Sequence, residues 1–339
     1  MRTQTQHQRT HATHPHASAA SAPPRQAPRP RSRKRRLLPL LVLTALLIAW
    51  PLFLVTDANA HLGRTDGLSG APDTPGTTFL LAGSDSREDG AVNDGTEGQR
   101  ADSIMLVHLA PNGQASTVSL PRDTWVELPT GDWDKLNASY AYGGAPELVS
   151  TVETLSGLTI DHYVEIGMGG VGRIVDAVGG VELCYDADVN DEFSGLHWQA
   201  GCHLSDGTTA LAFSRMRYSD PLGDIGRAQR QRQVVSQTIK TALSPSTLLN
   251  PVSAWRLGRA GSSALTVDQD TSVLDIGRLV LAIRQANNEG LTGTPPLDSL
   301  AYETPSGSAV RLVDDTAPDF FTALREGTLT PEAFTQELL

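Results

Sequence analysis

Hydrophobic positions along the chain fall into two regimes. The first is one long stretch, Leu37 to Val55, in which only Thr44 interrupts 19 residues of apolar character. A helix of that length spans roughly 28 Å, close to the hydrocarbon thickness of a bilayer. The second regime starts near residue 76, where apolar runs become short and are punctuated by Gly, Pro and Asn. Thr77 to Ala82, Ser103 to Ala110 and Ala115 to Leu120 read as strands, the last two joined by a turn at Pro111-Asn112-Gly113. Ala145 to Leu155 has helical spacing, and His162 to Ile166 alternates as a strand. Val171 to Val178 is again helical, stops at Gly179-Gly180, and is followed by a strand at Val181 to Tyr185. Asp206 to Phe213 and Asp224 to Leu243 read as helices, and Glu88 to Gln99, Ser244 to Pro251 and Asn287 to Pro296 as loops. Strands interleaved with helices predict an α/β sandwich around a central sheet, in one domain over about residues 76–330.

Charge gives the long apolar stretch a direction. Nine of the 27 basic residues lie in the first 36 positions, ending in Arg31-Ser-Arg-Lys-Arg-Arg36, with no acid among them. Such a flank stays cytoplasmic and places everything after Thr56 outside the cell. Residues 1–36 then form a disordered basic tail, 37–56 a single transmembrane helix and 57–75 a Gly-, Pro- and Asp-rich linker. A cleaved signal peptide is the rival, since Ala58-Asn59-Ala60 fits a processing site, but the apolar run is longer than such a segment needs. Export follows either way.

The remaining 303 positions carry 18 basic and 38 acidic residues, a charge of about -20. A general nucleic-acid binder shows the opposite balance, so any anion site here has to be built locally. The two cysteines, Cys184 and Cys202, on the oxidising side predict a disulfide closing a small loop. His197 and His203 lack the second ligand pair that a zinc site needs.

No Gly-Lys dipeptide, G-x-S-x-G elbow or H-E-x-x-H pair occurs, which argues against P-loop nucleotide hydrolysis, serine hydrolysis and zinc proteolysis. Charged residues instead gather at the ends of apolar segments. Gly83-Ser-Asp85-Ser-Arg87 follows the first strand and Arg100-Ala-Asp102-Ser103 precedes the second. If those strands are neighbours, Asp85 and Asp102 come close, and two close carboxylates call for a cation such as Mg²⁺. The same residues also serve as turn and strand caps. Arg122 closes the third strand, and Lys135 is one of only three lysines. Arg215 and Arg217 lie two apart and point to one side if the segment is extended. Arg227 and Gln231 lie four apart near a helix start, where arginine is disfavoured unless an anion is bound. Convergent guanidinium groups form a fork for phosphate oxygens, whereas single ones pair with surface acids.

Five segments in order resemble the LytR-CpsA-Psr family of cell-wall glycopolymer transferases, strongly over 77–240. They are Phe79-Leu-Leu-Ala-Gly-Ser-Asp-Ser-Arg87, Arg100-Ala-Asp-Ser-Ile-Met-Leu106, Ser119-Leu-Pro-Arg-Asp-Thr124, Lys135-Leu-Asn-Ala-Ser-Tyr-Ala-Tyr-Gly-Gly144, and Ala212-Phe-Ser-Arg-Met-Arg217 running into Gly223-Asp-Ile-Gly-Arg-Ala-Gln-Arg-Gln231. The resemblance implies an α-β-α sandwich around a mixed sheet that encloses a polyprenyl tail. It implies that Asp85 and Asp102 hold Mg²⁺ or Mn²⁺. It assigns Arg100, Arg122, Lys135, Arg215, Arg217, Arg227 and Gln231 to a pyrophosphate, with Arg122 nearest the bond that breaks. Ala228 and Gly167 depart from the family pattern, as matters of packing.

The implied reaction moves a glycopolymer, teichoic or another, from a polyprenyl-pyrophosphate carrier to a peptidoglycan hydroxyl, the C6 hydroxyl of N-acetylmuramic acid. A phosphodiester forms without ATP, which matches the missing P-loop. The alternatives are hydrolysis of the same lipid pyrophosphate and a non-catalytic wall-binding or regulatory role.

Overall fold

The computed structural model describes Thr3 and residues 33–84, 101–217, 219–221 and 223–334. In chain order the elements are α1 (Arg33–Ala60), β1 (Gly63–Arg64), β2 (Thr77–Ser84), β3 (Ala101–Leu109), β4 (Ala115–Leu120), β5 (Trp125–Glu127), β6 (Trp133–Lys135), α2 (Leu136–Ser156), β7 (His162–Gly167) and α3 (Met168–Ala177). Next come β8 (Val181–Tyr185), β9 (Val189–Asp191), β10 (Leu196–Trp198), β11 (Gly201–Ser205), α4 (Gly207–Arg215), α5 (Gly223–Ala242), α6 (Pro245–Leu248) and α7 (Pro251–Ala264). Last are β12 (Leu265–Val267), α8 (Val273–Glu289), β13 (Thr292–Gly293), β14 (Leu297–Thr304), β15 (Gly307–Leu312) and α9 (Ala317–Glu326).

Strand alternation builds three layers. In β2, Phe79 faces one side of the sheet and Leu80 and Ala82 the other, all essentially without solvent contact. On the Leu80 side the sheet packs against α2 and α9 through Leu148, Val152, Phe320 and Leu324. On the Phe79 side it packs against α5 and α8 through Ile239, Leu279 and Ile283. The seven-stranded sheet runs β1-β12-β7-β2-β3-β4-β13. β2 pairs antiparallel with β3 and parallel with β7, so the sheet is mixed. The architecture is the α-β-α sandwich expected of the sequence, preceded by one helix, Val42–Ala60, long and apolar enough to cross a membrane.

A smaller core lies beside the sandwich, where Val181, Leu183, Trp198, Phe213 and Met216 close on Val234 of α5. Cys184 and Cys202 stand opposite each other in the β8–β11 hairpin and are joined by a disulfide, 18 residues apart in sequence.

Two segments differ from expectation. Residues 57–75 are not a free linker. α1 continues to Ala60, Asn59 Oδ1 accepts from Val273 N at 3.3 Å, and β1 pairs with β12. Arg64 Nη1 donates to the carbonyls of Asp268 and Thr271 at 2.8 and 2.5 Å, and Thr159 N donates to Thr74 Oγ1 at 3.0 Å. Polar composition suggested a loop, but those polar groups find partners on the domain. The helix expected over 145–155 begins earlier, at Leu136, and is broken at Gly144, whose φ of 64° favours glycine. Pro146 begins the second part, where its missing N–H is harmless. The expected loop 88–99 lies outside the described residues.

Candidate functional site

The strand ends that close the sheet near residues 84, 101 and 120 meet the start of α5. Ser84 is paired with Ala101 and Gly83 with Ser103, so Asp102 is the extra residue of a β-bulge. A bulge re-aims a side chain and ends regular pairing, and such irregularities concentrate beside functional sites. Asp102 is described by its backbone alone, and Asp85 and Arg100 lie outside the described residues. The pairing of Ser84 with Ala101 brings the end of β2 beside the start of β3.

Arg122 follows Pro121, which ends β4. Its Nε donates to Asp123 Oδ2 at 3.3 Å, and Lys135 Nζ lies 3.9 Å from Asp123 Oδ1. One carboxylate therefore sits between the two cations. Backbone bonds hold them together: Asn137 N donates to Arg122 O at 2.9 Å and Leu136 N to Thr124 O at 2.8 Å. The start of α2 is thus fastened to the segment that follows β4, which keeps Lys135 beside Asp123. Asp123 was not singled out from sequence. Its signal was its place between Arg122 and a lone lysine.

Between this edge and α5 lies a cavity of about 270 Å³. Arg122, Arg227, Gln231 and Arg232 line it, with Ser103, Met105 and Ser119 from the strands. Leu297, Leu300, Val310 and Phe334 add apolar lining. Arg227 and Gln231 share the face that their spacing predicted. Lys135, Arg215 and Arg217 are not among the lining residues. Arg215 ends α4 in helical conformation, and the next residue, Met216, is fully buried. Arg215 is thus helical while Met216 is extended (φ -53°, ψ 130°), so the extended segment expected over 215–217 is only partly present.

Two residues of α5 that the sequence left unassigned have distinct environments. Arg232 is partly buried, and among the described residues its one side-chain bond is from Nη1 to Ser119 Oγ at 3.2 Å. Burial pulls its pKa below the usual arginine value. A guanidinium in this setting favours an anion as its partner. Arg230 is 4% exposed. It pairs with the Asp220 carboxylate and donates to the Phe213 and Met216 carbonyls. It ties the end of α4 to α5. A Cβ at Gly226 would overlap Asp220, so the close approach needs glycine there.

Glu165 on β7, beside Ala82, accepts from the phenols of Tyr140 and Tyr163 at 2.8 and 2.9 Å. Burial, then the charge of Glu165, raises both phenols above their ordinary values, which keeps them as donors. The alternation of His162 to Ile166 marked Glu165 as a strand position without revealing this role.

A divalent cation was expected at Asp85 and Asp102. Among the described residues, no three His, Cys, Asp or Glu side chains converge. Ser84 Oγ, at the mouth of β2, is buried without a hydrogen bond; the Tyr140 phenol lies near it but donates to Glu165. Carboxylate and hydroxyl oxygens are donors of the kind that Mg²⁺ or Mn²⁺ accepts.

A mixed α/β sandwich with guanidinium groups and apolar side chains lining one cavity at the strand ends defines a protein with an arginine-lined amphipathic pocket. The chain belongs to the LytR_cpsA_psr family, whose sequence profile matches residues 56–287. It is 41% identical over 254 residues to the "Probable cell wall biosynthesis protein LcpB" of Corynebacterium glutamicum, covering 72% of this chain and 60% of the relative. The chain therefore spans somewhat under two thirds of that relative's length. It is 40% identical over 233 residues to the "Polyisoprenyl-teichoic acid--peptidoglycan teichoic acid transferase TagU" of Enterococcus faecalis, covering 67% of this chain and 73% of the relative. The fold matches that of the "LytR-Csp2A-Psr enzyme from Actinomyces oris" with a TM-score of 0.63 at 23% identity, covering 80% of this chain and 98% of that one.

Proposed function

We propose that this chain is a membrane-anchored phosphotransferase, with its N-terminus cytoplasmic and its α/β domain outside, that moves a cell-wall glycopolymer from a polyprenyl-pyrophosphate carrier to peptidoglycan. The observation that carries this reading is the cavity lined both by Arg122, Arg227, Gln231 and Arg232 and by Leu297, Leu300, Val310 and Phe334. Such a cavity suits a ligand with a polyanionic head and an apolar tail. The name of the Enterococcus faecalis relative describes a transfer of the same class.

The protein's part in the chemistry is charge placement. Arg122, oriented by Asp123 and seconded by Lys135, meets the sugar-side phosphate, while Arg227, Gln231 and Arg232 hold the phosphate that stays with the lipid. Arg100, Arg215 and Arg217, assigned to the pyrophosphate by the family resemblance, keep that role in this proposal. The acceptor hydroxyl, in this proposal the C6 hydroxyl of N-acetylmuramic acid, attacks the sugar-side phosphorus. A P–O bond to the acceptor forms as the P–O bond to the bridging oxygen breaks, and the polyprenyl monophosphate leaves with that bond's electron pair. The leaving phosphate, whose second pKa is about 6 in phosphomonoesters, takes up the hydroxyl proton. Mg²⁺ or Mn²⁺ held by Asp85 and Asp102 would neutralise phosphate charge when bound.

The test uses the full chain in detergent with Mg²⁺, a short polyprenyl-pyrophosphate glycan and peptidoglycan oligomers, read by mass spectrometry. The expected product is the acceptor oligomer plus glycosyl phosphate, absent with R122A. Release of free glycosyl phosphate alone, at the same rate with and without acceptor, means hydrolysis instead. No product at all in the wild type rejects both readings.

A further inference from the structure

The β5–β6 ribbon pairs Trp125 with Lys135 and Glu127 with Trp133. Cross-strand partners share a face, as do residues two apart in one strand. Trp125, Glu127, Trp133 and Lys135 therefore lie on one face, while Val126 turns into the core. One end of that face is Lys135, next to Asp123 and Arg122. The other end is Trp133, about 6.8 Å along the strand from Lys135. Trp133 is 53% exposed.

An open groove of about 750 Å³ runs beside it. Trp125, Glu127 and Trp133 line it from the β5–β6 ribbon and Tyr302 and Arg311 from the β14–β15 hairpin, with Asp314 and the apolar Leu155, Leu312 and Phe321 also bordering it. The hairpin is fastened to the same corner of the cavity: Val310 N donates to Asp123 O at 2.8 Å. Arg311 lies over the Tyr302 ring at 5.2 Å and pairs with Asp314, so the ring is braced.

Flat aromatic faces interleaved with carboxylate and guanidinium groups match a pyranose. Its C–H face stacks on a ring, and its hydroxyls and amides take the hydrogen bonds. A lipid tail would cover the apolar part of the lining but leave the charges of Glu127, Arg311 and Asp314 against hydrocarbon. A nucleic acid is opposed by Glu127 and Asp314 in a domain whose charge is about -20.

We infer that this groove binds the acceptor, an N-acetylhexosamine strand that crosses Trp133 and reaches the phosphate cavity past Lys135. The inference rests on the transferase reading above. The donor is already held by its charges and its tail. A neutral acceptor hydroxyl brings no charge to the site, so the acceptor has to be held through contact along its length.

The test uses the full chain in nanodiscs, with W133A, W133F, Y302A and R122A. Each is titrated with a peptide-free peptidoglycan tetrasaccharide, with a soluble glycosyl pyrophosphate and with inorganic pyrophosphate. W133A is expected to weaken tetrasaccharide binding at least tenfold, and W133F to restore most of it. Melting temperature and pyrophosphate affinity stay as in the wild type. Wild-type tetrasaccharide affinity in both W133A and Y302A overturns the inference, as does a loss confined to the glycosyl pyrophosphate. R122A checks the phosphate reading separately: if it binds pyrophosphate like the wild type, that reading fails while the groove result stands on its own titration.

Discussion

Two arginines of α5, two residues apart, are expected to respond oppositely to the same substitution. Arg230 is buried with its charge matched by Asp220. R230M removes one partner of that pair and strands a buried carboxylate, which costs about 3–5 kcal/mol. Arg232 has Ser119 Oγ as its one hydrogen-bond partner among the described residues, while its charge is partly desolvated. R232M relieves that desolvation, so stability is expected to hold or rise slightly while pyrophosphate affinity falls about tenfold, the trade common at binding sites. Thermal melts with and without pyrophosphate separate the two. A large loss of stability in R232M shows that Arg232 is structural and removes it from the phosphate set. Helix spacing did not set Arg230 apart from the phosphate set, because it shares a face with Arg227 and Gln231 by the i+3 and i+4 rule. What separates Arg230 is the turn through Asp220 folding back onto it, a contact that no local pattern encodes. Arg122, at the end of an apolar run, was legible because a charged residue there has few places to go.

At the scale of elements, short-range pattern located the strands well: β2, β4 and β7 have a strand on each side in the seven-stranded sheet, and β8 pairs with β11 over all five residues. The β5–β6 ribbon and the β14–β15 hairpin escaped notice. They are short or largely exposed, and their polar positions read as loop. Both frame the groove proposed for the acceptor, so the least legible elements carry its proposed recognition surface. The junction of β3 with α9 offers a pH test. His108 is buried, with Nδ1 3.0 Å from Thr78 Oγ1 and Nε2 3.3 Å from the Arg325 carbonyl at the end of α9. Burial lowers its pKa from 6.5, offset in part by the hydrogen bond to Arg325. The folded state thus favours neutral His108. Its stabilising contribution is present above about pH 6.5 and is lost as pH falls through the lowered folded pKa. H108Q keeps a donor and an acceptor but does not titrate. Urea melts at pH 7.5 and 5.0 are expected to show a smaller loss for H108Q than for the wild type. Equal losses mean that His108 carries none of the acid sensitivity.

The whole molecule joins a basic N-terminal segment and an apolar helix to an acidic domain, and these large contrasts were plain in the sequence. How the chain enters the domain was not, because a Gly-, Pro- and Asp-rich stretch has the composition of a tether whether or not its polar groups find partners. A free tether over 57–75 would extend up to about 65 Å. Lipid-linked pyrophosphate lies at the membrane surface, so a domain that acts on it gains from a shorter leash. The structure supplies one: Leu68 packs on the main core, Gly67 lies against the Tyr163 ring, and Arg64 donates to the carbonyls of Asp268 and Thr271. Arg64 is the discriminating residue, since in a free linker it would do nothing. It is exposed, so its bonds are screened and worth about 1 kcal/mol rather than the larger value of buried charged hydrogen bonds. R64A is therefore expected to lower the melting temperature of the full chain by about 2–4 °C, with pyrophosphate affinity unchanged. An unchanged melting temperature would falsify the fastening of this segment and return 57–75 to the flexible linker that its composition suggested.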